Sequence, residues 1–354
     1  MVLTTVVTSK FLGSTASHRP TVPSAYSHRV FGRPQAGILS SVAFSPDGRT
    51  LSAGATGGPK AGPRRGGKAG GTTYLWDVKT GTKIAMLSPG GGAEAFSPNG
   101  SILAAAGGPG NDTTYLWEVA ARHTVAVLSD HHDSSVEGVA FSANGRTLAV
   151  NDANGTVYVW ALGRGGEVPA GYHPGVLALP GGVKSDAIAF SRRGATLAMG
   201  GANGQVYLWS QAAGTVTRTL KPPGNPAAVT SVAFSPDGRA LAAGENGGVT
   251  YVWDLASRAR LSLPDPDGSD IESVAFSPDS RWLATGAANG KTYLWHPPAA
   301  KPFATLTNPK GPASGSSSGN HGTAVFSVAF SPGGTSLATT DPDGLAFLWK
   351  VKVR

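Results

Sequence analysis

Ser41-Val-Ala-Phe-Ser-Pro-Asp-Gly-Arg-Thr-Leu51 decides the fold, because the chain keeps rewriting it. Its core alternates apolar and small residues and closes on Phe-Ser-Pro-Asp-Gly; whole or partial copies return at Phe96, Phe141, Phe190, Phe234, Phe276 and Phe330. Successive copies lie 52, 45, 49, 44, 42 and 54 residues apart. A second signature, Tyr-Leu-Trp or a close variant, follows each copy and ends at Trp76, Trp117, Trp160, Trp209, Trp253, Trp295 and Trp349. Seven of the eight tryptophans thus occupy one slot. A repeat of about 40–45 residues with one Trp per unit predicts an all-β, seven-bladed propeller of four-stranded antiparallel blades.

The chemistry inside one repeat agrees. Val42 and Phe44 alternate with small residues, as a half-buried strand requires. Ser45-Pro-Asp-Gly48 then turns the chain: Pro presets φ, Asp bonds back to the backbone, and Gly accepts φ > 0. The turn degrades to Ser142-Ala-Asn-Gly145, Ser191-Arg-Arg-Gly194 and Ser277-Pro-Asp-Ser280; Ser280 alone loses the closing glycine, which predicts local strain. The second strand carries small residues where neighbouring sheets crowd. The third places Tyr293 and Trp295 on one face and Leu294 on the other, as blade-to-blade packing.

Composition sets the limits. The absence of Cys excludes disulfides, thiolate catalysis and Cys-ligated metals, and suits a reducing compartment; we expect a cytoplasmic chain. No apolar run approaches the roughly 20 residues that cross a bilayer, so no membrane association is expected. The net charge of +8 is local. Residues 1–70 hold nine Lys/Arg and one acid, Asp47, while the remaining 20 Lys/Arg and 20 Asp/Glu cancel. That confinement argues against specific nucleic-acid binding, which needs a basic body with interleaved aromatics.

Residues 1–26 are acid-poor and Ser/Thr-rich, and read as a disordered tail or the remnant of a linker. The propeller is assigned to residues 27–354. An outer-strand Leu precedes the next Phe by 13 residues at Leu128, Leu177 and Leu263; the same count back from Phe44 lands on Phe31. The last repeat ends after Trp349 without its own fourth strand. Residues 27–32 are therefore predicted to supply it and to close the ring, leaving no open sheet edge there.

These motifs resemble the WD-repeat β-propeller family over roughly residues 27–354, with true Trp-Asp pairs at Trp76-Asp77 and Trp253-Asp254. The wording is most similar to bacterial members, whose arrays are often attached to signalling enzymes such as Ser/Thr kinases. The resemblance implies a structural network of His, Ser/Thr, Asp and Trp in each blade. Here only blade seven offers the full set, His321, Thr339, Asp343 and Trp349. It also implies that loops between second and third strands share a partner-binding top face with the blade-to-blade loops. Two of those connections are oversized, residues 55–71 and 308–322. Lys60, Arg64, Arg65 and Lys68 in the first, with His131 in another top-face loop, are the candidate partner contacts, suited to an acidic partner or phosphate groups.

Enzyme chemistry is not legible. There is no HExxH and no GxxxxGK[ST]. The one GxSxG match, Gly315-Ser-Ser-Ser-Gly319, lies in low-complexity sequence without the strand and helix that a nucleophile elbow needs. Asp130-His-His-Asp133 offers adjacent side chains, which rarely converge on one ion. No set of acids or histidines is read at matching positions of several repeats. We therefore expect a monomeric, non-catalytic scaffold for protein partners, without metal or cofactor. The alternatives are a metal-dependent propeller hydrolase, or weak binding of nucleic acid or an acidic partner through the basic loop.

Overall fold

The computed structural model describes residues 28–32, 37–56, 70–108, 111–129, 134–192, 196–308 and 324–351. Seven four-stranded antiparallel sheets follow one another around a ring. Blades one to seven are numbered here from their inner strands, which end at Phe44, Phe96, Phe141, Phe190, Phe234, Phe276 and Phe330. Consecutive inner strands touch, and those of blades seven and one touch as well. The ring is closed.

Closure obeys the predicted spacing. The strand His28–Gly32 lies antiparallel on the third strand of blade seven, Leu345–Lys350, with His28 opposite Trp349 and Gly32 opposite Leu345. Phe31 is buried and meets Trp76 of blade one edge-on, ring centroids 5.9 Å apart. A large aromatic on the last-added strand thus ties blade seven to its neighbour through the interaction geometry aromatic pairs favour.

Packing between blades explains why small residues recur on the second strands. Ala104, Ala149, Ala198, Ala242, Ala284 and Ala338 are fully buried in equivalent positions, and Ser52 holds that position in blade one. Tyr293 and Trp295 pack with Leu263 and Ile271 on one side, while Leu294 packs with Leu306 and Val325 on the other. The seven slot tryptophans are all buried.

Each inner turn repeats one hydrogen-bond scheme. In blade one the Ser45 hydroxyl donates to Asp47 Oδ1 (2.6 Å), the Arg49 N–H donates to the same oxygen (3.0 Å), and Gly48 N–H donates to Ser45 O (2.8 Å). Gly48 has φ +70°, which favours glycine. Ser280 adopts φ +62° in the same place, so the expected strain is present. Its hydroxyl accepts the backbone N–H of Asp237 in blade five at 3.0 Å, an offset the sequence did not reveal. Ser280→Ala should therefore cost about 1–2 kcal/mol, keeping the strain and losing the bond, whereas Ser280→Gly should stay within about 0.5 kcal/mol of wild type. Urea titrations of both variants test the order; equal losses would sink it.

A belt of serine hydroxyls links inner strands from blade to blade. Ser231 accepts the Val274 N–H, Ser273 accepts that of Val328, and Ser327 accepts that of Val42, all at 3.1–3.2 Å. Ser41 then donates to Gly92 O at 2.8 Å. The belt lapses where Ala93, Gly138 and Ala187 take the serine slot.

Candidate interaction face

The loops sort onto two faces by their backbone bonds. Turns between first and second strands bond to those between third and fourth, as in Val78 N–H to Arg49 O and Leu255 N–H to Arg239 O. Turns between second and third strands bond instead to blade-to-blade loops, as in Asp265 N–H to Gly248 O and Ala202 N–H to Lys184 O. The second set forms the predicted top face. The flanks of the first oversized loop, Thr56 and Gly71, belong to it, since Gly71 donates to Gly107 O across the seam to blade two.

The predicted site residues divide sharply. Lys60, Arg64, Arg65, Lys68, His131 and His321 lie outside the described residues, as do Asp130, His132, Asp133 and the Gly315–Gly319 motif. Thr339 and Trp349 do come together: the Trp349 indole N–H donates to Thr339 Oγ1 (3.0 Å), and that hydroxyl donates to Asn308 Oδ1 (3.1 Å). Asn308 was not anticipated. Blade six carries half the same network, Trp295 to Thr285 at 2.9 Å. In blades two and four the corresponding second-strand residues are Ala105 and Met199, and the indoles of Trp117 and Trp209 lack an acceptor. Asp343 acts on a neighbour. Asp341, 4% exposed, caps the turn by accepting the Leu345 N–H (2.9 Å); burial first, and then the charge of Asp343, push its carboxyl up to about 6.

The sequence reading missed a set of residues at the mouth of the central channel. Five inner strands carry a bulge four residues before the Phe, and the extra residues are Ser40, Glu137, Asp186, Thr230 and Glu272. A bulge re-aims the side chain it inserts. Acids therefore do recur at one repeat position, in blades three, four and six, contrary to expectation. Counting back from each Phe would have found them; their neighbours in the slot (Ser, Gly, Thr and Phe326) hid the pattern. Glu137 and Asp186 are exposed and sit on adjacent inner strands. Partial withdrawal from water, then the charges of Asp186 and Asp152, hold Glu137 above the usual carboxylate range. Asp186 is raised by the same withdrawal, tempered by Lys184. Among the described residues no three His, Asp or Glu side chains converge to hold a metal ion.

A closed ring of seven antiparallel blades, with one loop-rich face around a channel, defines a β-propeller. The family model described as WD domain, G-beta repeat matches residues 122–161, 214–254, 260–296 and 315–350. With the seven-bladed ring, these matches establish that the chain belongs to the WD-repeat β-propeller family. No curated protein matches it. Propellers of this family generally serve as protein-interaction scaffolds and are typically non-catalytic. No helix among the described residues is long and apolar enough to cross a membrane.

Proposed function

We propose that the chain is a non-catalytic platform whose loop-rich face docks a protein partner, as the regulatory or targeting part of a bacterial signalling protein. The observation that supports this reading is how the ring uses its repeated positions. The Phe, Trp, Ala and Ser-turn positions all serve packing or turn geometry, while variation in length and charge falls in the loops of one face. Fold alone does not carry function, and it is this distribution that favours a surface. In this reading the chain works as a cytoplasmic monomer without a cofactor. Lys60, Arg64, Arg65 and Lys68, with His131, contact acidic groups of the partner and add chiefly to its rate of association.

The test is capture from a nuclease-treated lysate of the source organism at moderate salt. The intact chain is compared with a variant carrying Ala at Lys60, Arg64, Arg65 and Lys68, and with an Arg146→Ala/Arg239→Ala variant of the opposite face. A stoichiometric protein held by the first and third and reduced on the second is the expected result. Equal recovery on all three would end the role of the basic segment, and no retained protein on any would end the platform reading.

A further inference from the structure

We propose, resting on the platform reading, that the channel mouth between blades three and four receives a Lys/Arg-rich segment of the partner, its cationic side chains pairing with Glu137 and Asp186. Three observations converge on it.

The first is placement. Both carboxylates occupy the bulged slot of adjacent inner strands, both are exposed, and they lie where the serine belt lapses, at Gly138 and Ala187. Two like charges held this close are relieved by a cation between them.

The second is a pair of buried oxygens beside the slot. Glu137 bulges opposite Asn151 and Asp152, which are 0% and 1% exposed. Asp152 Oδ1 accepts the Thr156 N–H at 2.8 Å, but its Oδ2 has no hydrogen-bond partner, and its charge reaches Glu137. Asn151 donates to Ser185 O at 3.2 Å, immediately before Asp186, while its Oδ1 faces the bare Cα of Gly138 without a donor. Buried acceptors left without donors are costly, and a multi-donor cation answers that deficit.

The third is the charge of the surrounding face. Blade-to-blade and turn residues Asp265, Asp267, Asp270, Asp341 and Asp343 extend the negative potential around the ring, against Lys184, Lys221 and Lys291. Of these, Lys291 is already paired with Asp267 at 2.7 Å. Arg49, Arg146, Arg239 and Arg281 follow the turns of the opposite face. A negative mouth on a low-dielectric ring focuses the field on cations and repels nucleic acid. Since the carboxylates do not converge as a chelate, the fitting cation is an extended one. A guanidinium or ammonium on a side chain meets that requirement.

The test uses the full chain and two labelled peptides, octa-arginine and octa-glutamate, read by fluorescence anisotropy at low and moderate salt. The chain should bind octa-arginine, more weakly as salt rises, and should not bind octa-glutamate. Glu137→Gln/Asp186→Asn should weaken octa-arginine binding about tenfold, while the charge-matched Glu118→Gln/Glu167→Gln of the opposite face should leave it within about twofold. All four replaced groups are solvent-accessible, and unchanged thermal midpoints would show the variants folded. Equal affinity of wild type and Glu137→Gln/Asp186→Asn, or a preference for octa-glutamate, would overturn the proposal. A lysate protein still held at full level by that double variant would end the cationic assignment and leave the platform reading intact.

Discussion

Glu94→Gln should free the propeller from a stability loss that grows with pH. Relative to this variant, the wild type is expected to lose about 1.4 kcal/mol per pH unit between roughly pH 4.5 and 8, then run parallel to it. The reason lies in the seam between blades one and two. Two residues before the Phe, six inner strands place Val42, Val139, Ile188, Val232, Val274 and Val328, packed between sheets; blade two places Glu94. Both its carboxylate oxygens lack accessible surface and a hydrogen-bond partner. Burial dominates and pushes the carboxyl up to about 8. The Ser52 and Thr73 hydroxyls pull it down, though neither reaches full hydrogen-bond geometry. The folded chain keeps this proton up to about pH 8 while the unfolded chain releases it near 4.5, so raising the pH through that window favours unfolding. Glu94→Val, which restores the residue of the other blades, should track the Gln variant in slope. Denaturant midpoints at pH 5, 6, 7, 8 and 9 decide the matter; parallel curves for wild type and Glu94→Gln would mean the group ionises in the folded state as it does in water.

The second large effect belongs to the closing strand. Phe31→Ala should cost about 3–5 kcal/mol, because it removes a large buried ring and leaves a cavity against Trp76, Leu39 and Leu348. An equally buried leucine on an ordinary outer strand, Leu128 of blade two, should lose a comparable amount on change to Ala. The two variants should differ in their self-association. Loosening His28–Gly32 uncovers the hydrogen-bonding edge of Leu345–Lys350, so Phe31→Ala should also form concentration-dependent oligomers. Light scattering alongside denaturation separates the outcomes; oligomers from Leu128→Ala and none from Phe31→Ala would refute the closure argument.

Much of this architecture was legible because the repeat states it seven times. Phe, Ser-Pro-Asp-Gly and Trp have rigid geometric roles, so their spacing carried blade number, strand order and even the closing strand from one count of 13 residues to Phe31. The candidate site was less legible for a physical reason. A bulged residue owes nothing to the sheet ladder, so its slot tolerates Ser, Gly, Glu, Asp, Thr and Phe, and no motif marks Glu137 or Asp186. Glu94 stood in plain view in Ala93-Glu-Ala-Phe96, yet only the seam shows that Ser52, which replaces the alanine of the other six blades, lies directly against it. The Trp–Thr pair of blade six escaped a search for complete four-residue networks, since half a network still satisfies one buried indole.

The pairing of His28–Gly32 with Leu345–Lys350 also orders events in time. The strand made first must wait for the one made last, because its partner emerges from the ribosome only after every intervening blade. Until then the nascent chain is an open arc with a bare edge at each end, and its final step joins contacts of the greatest sequence separation in the molecule. The chain thus passes from a growing series of blades to a ring in a single late event, and the interval before that event is when it most needs protection from pairing with its neighbours.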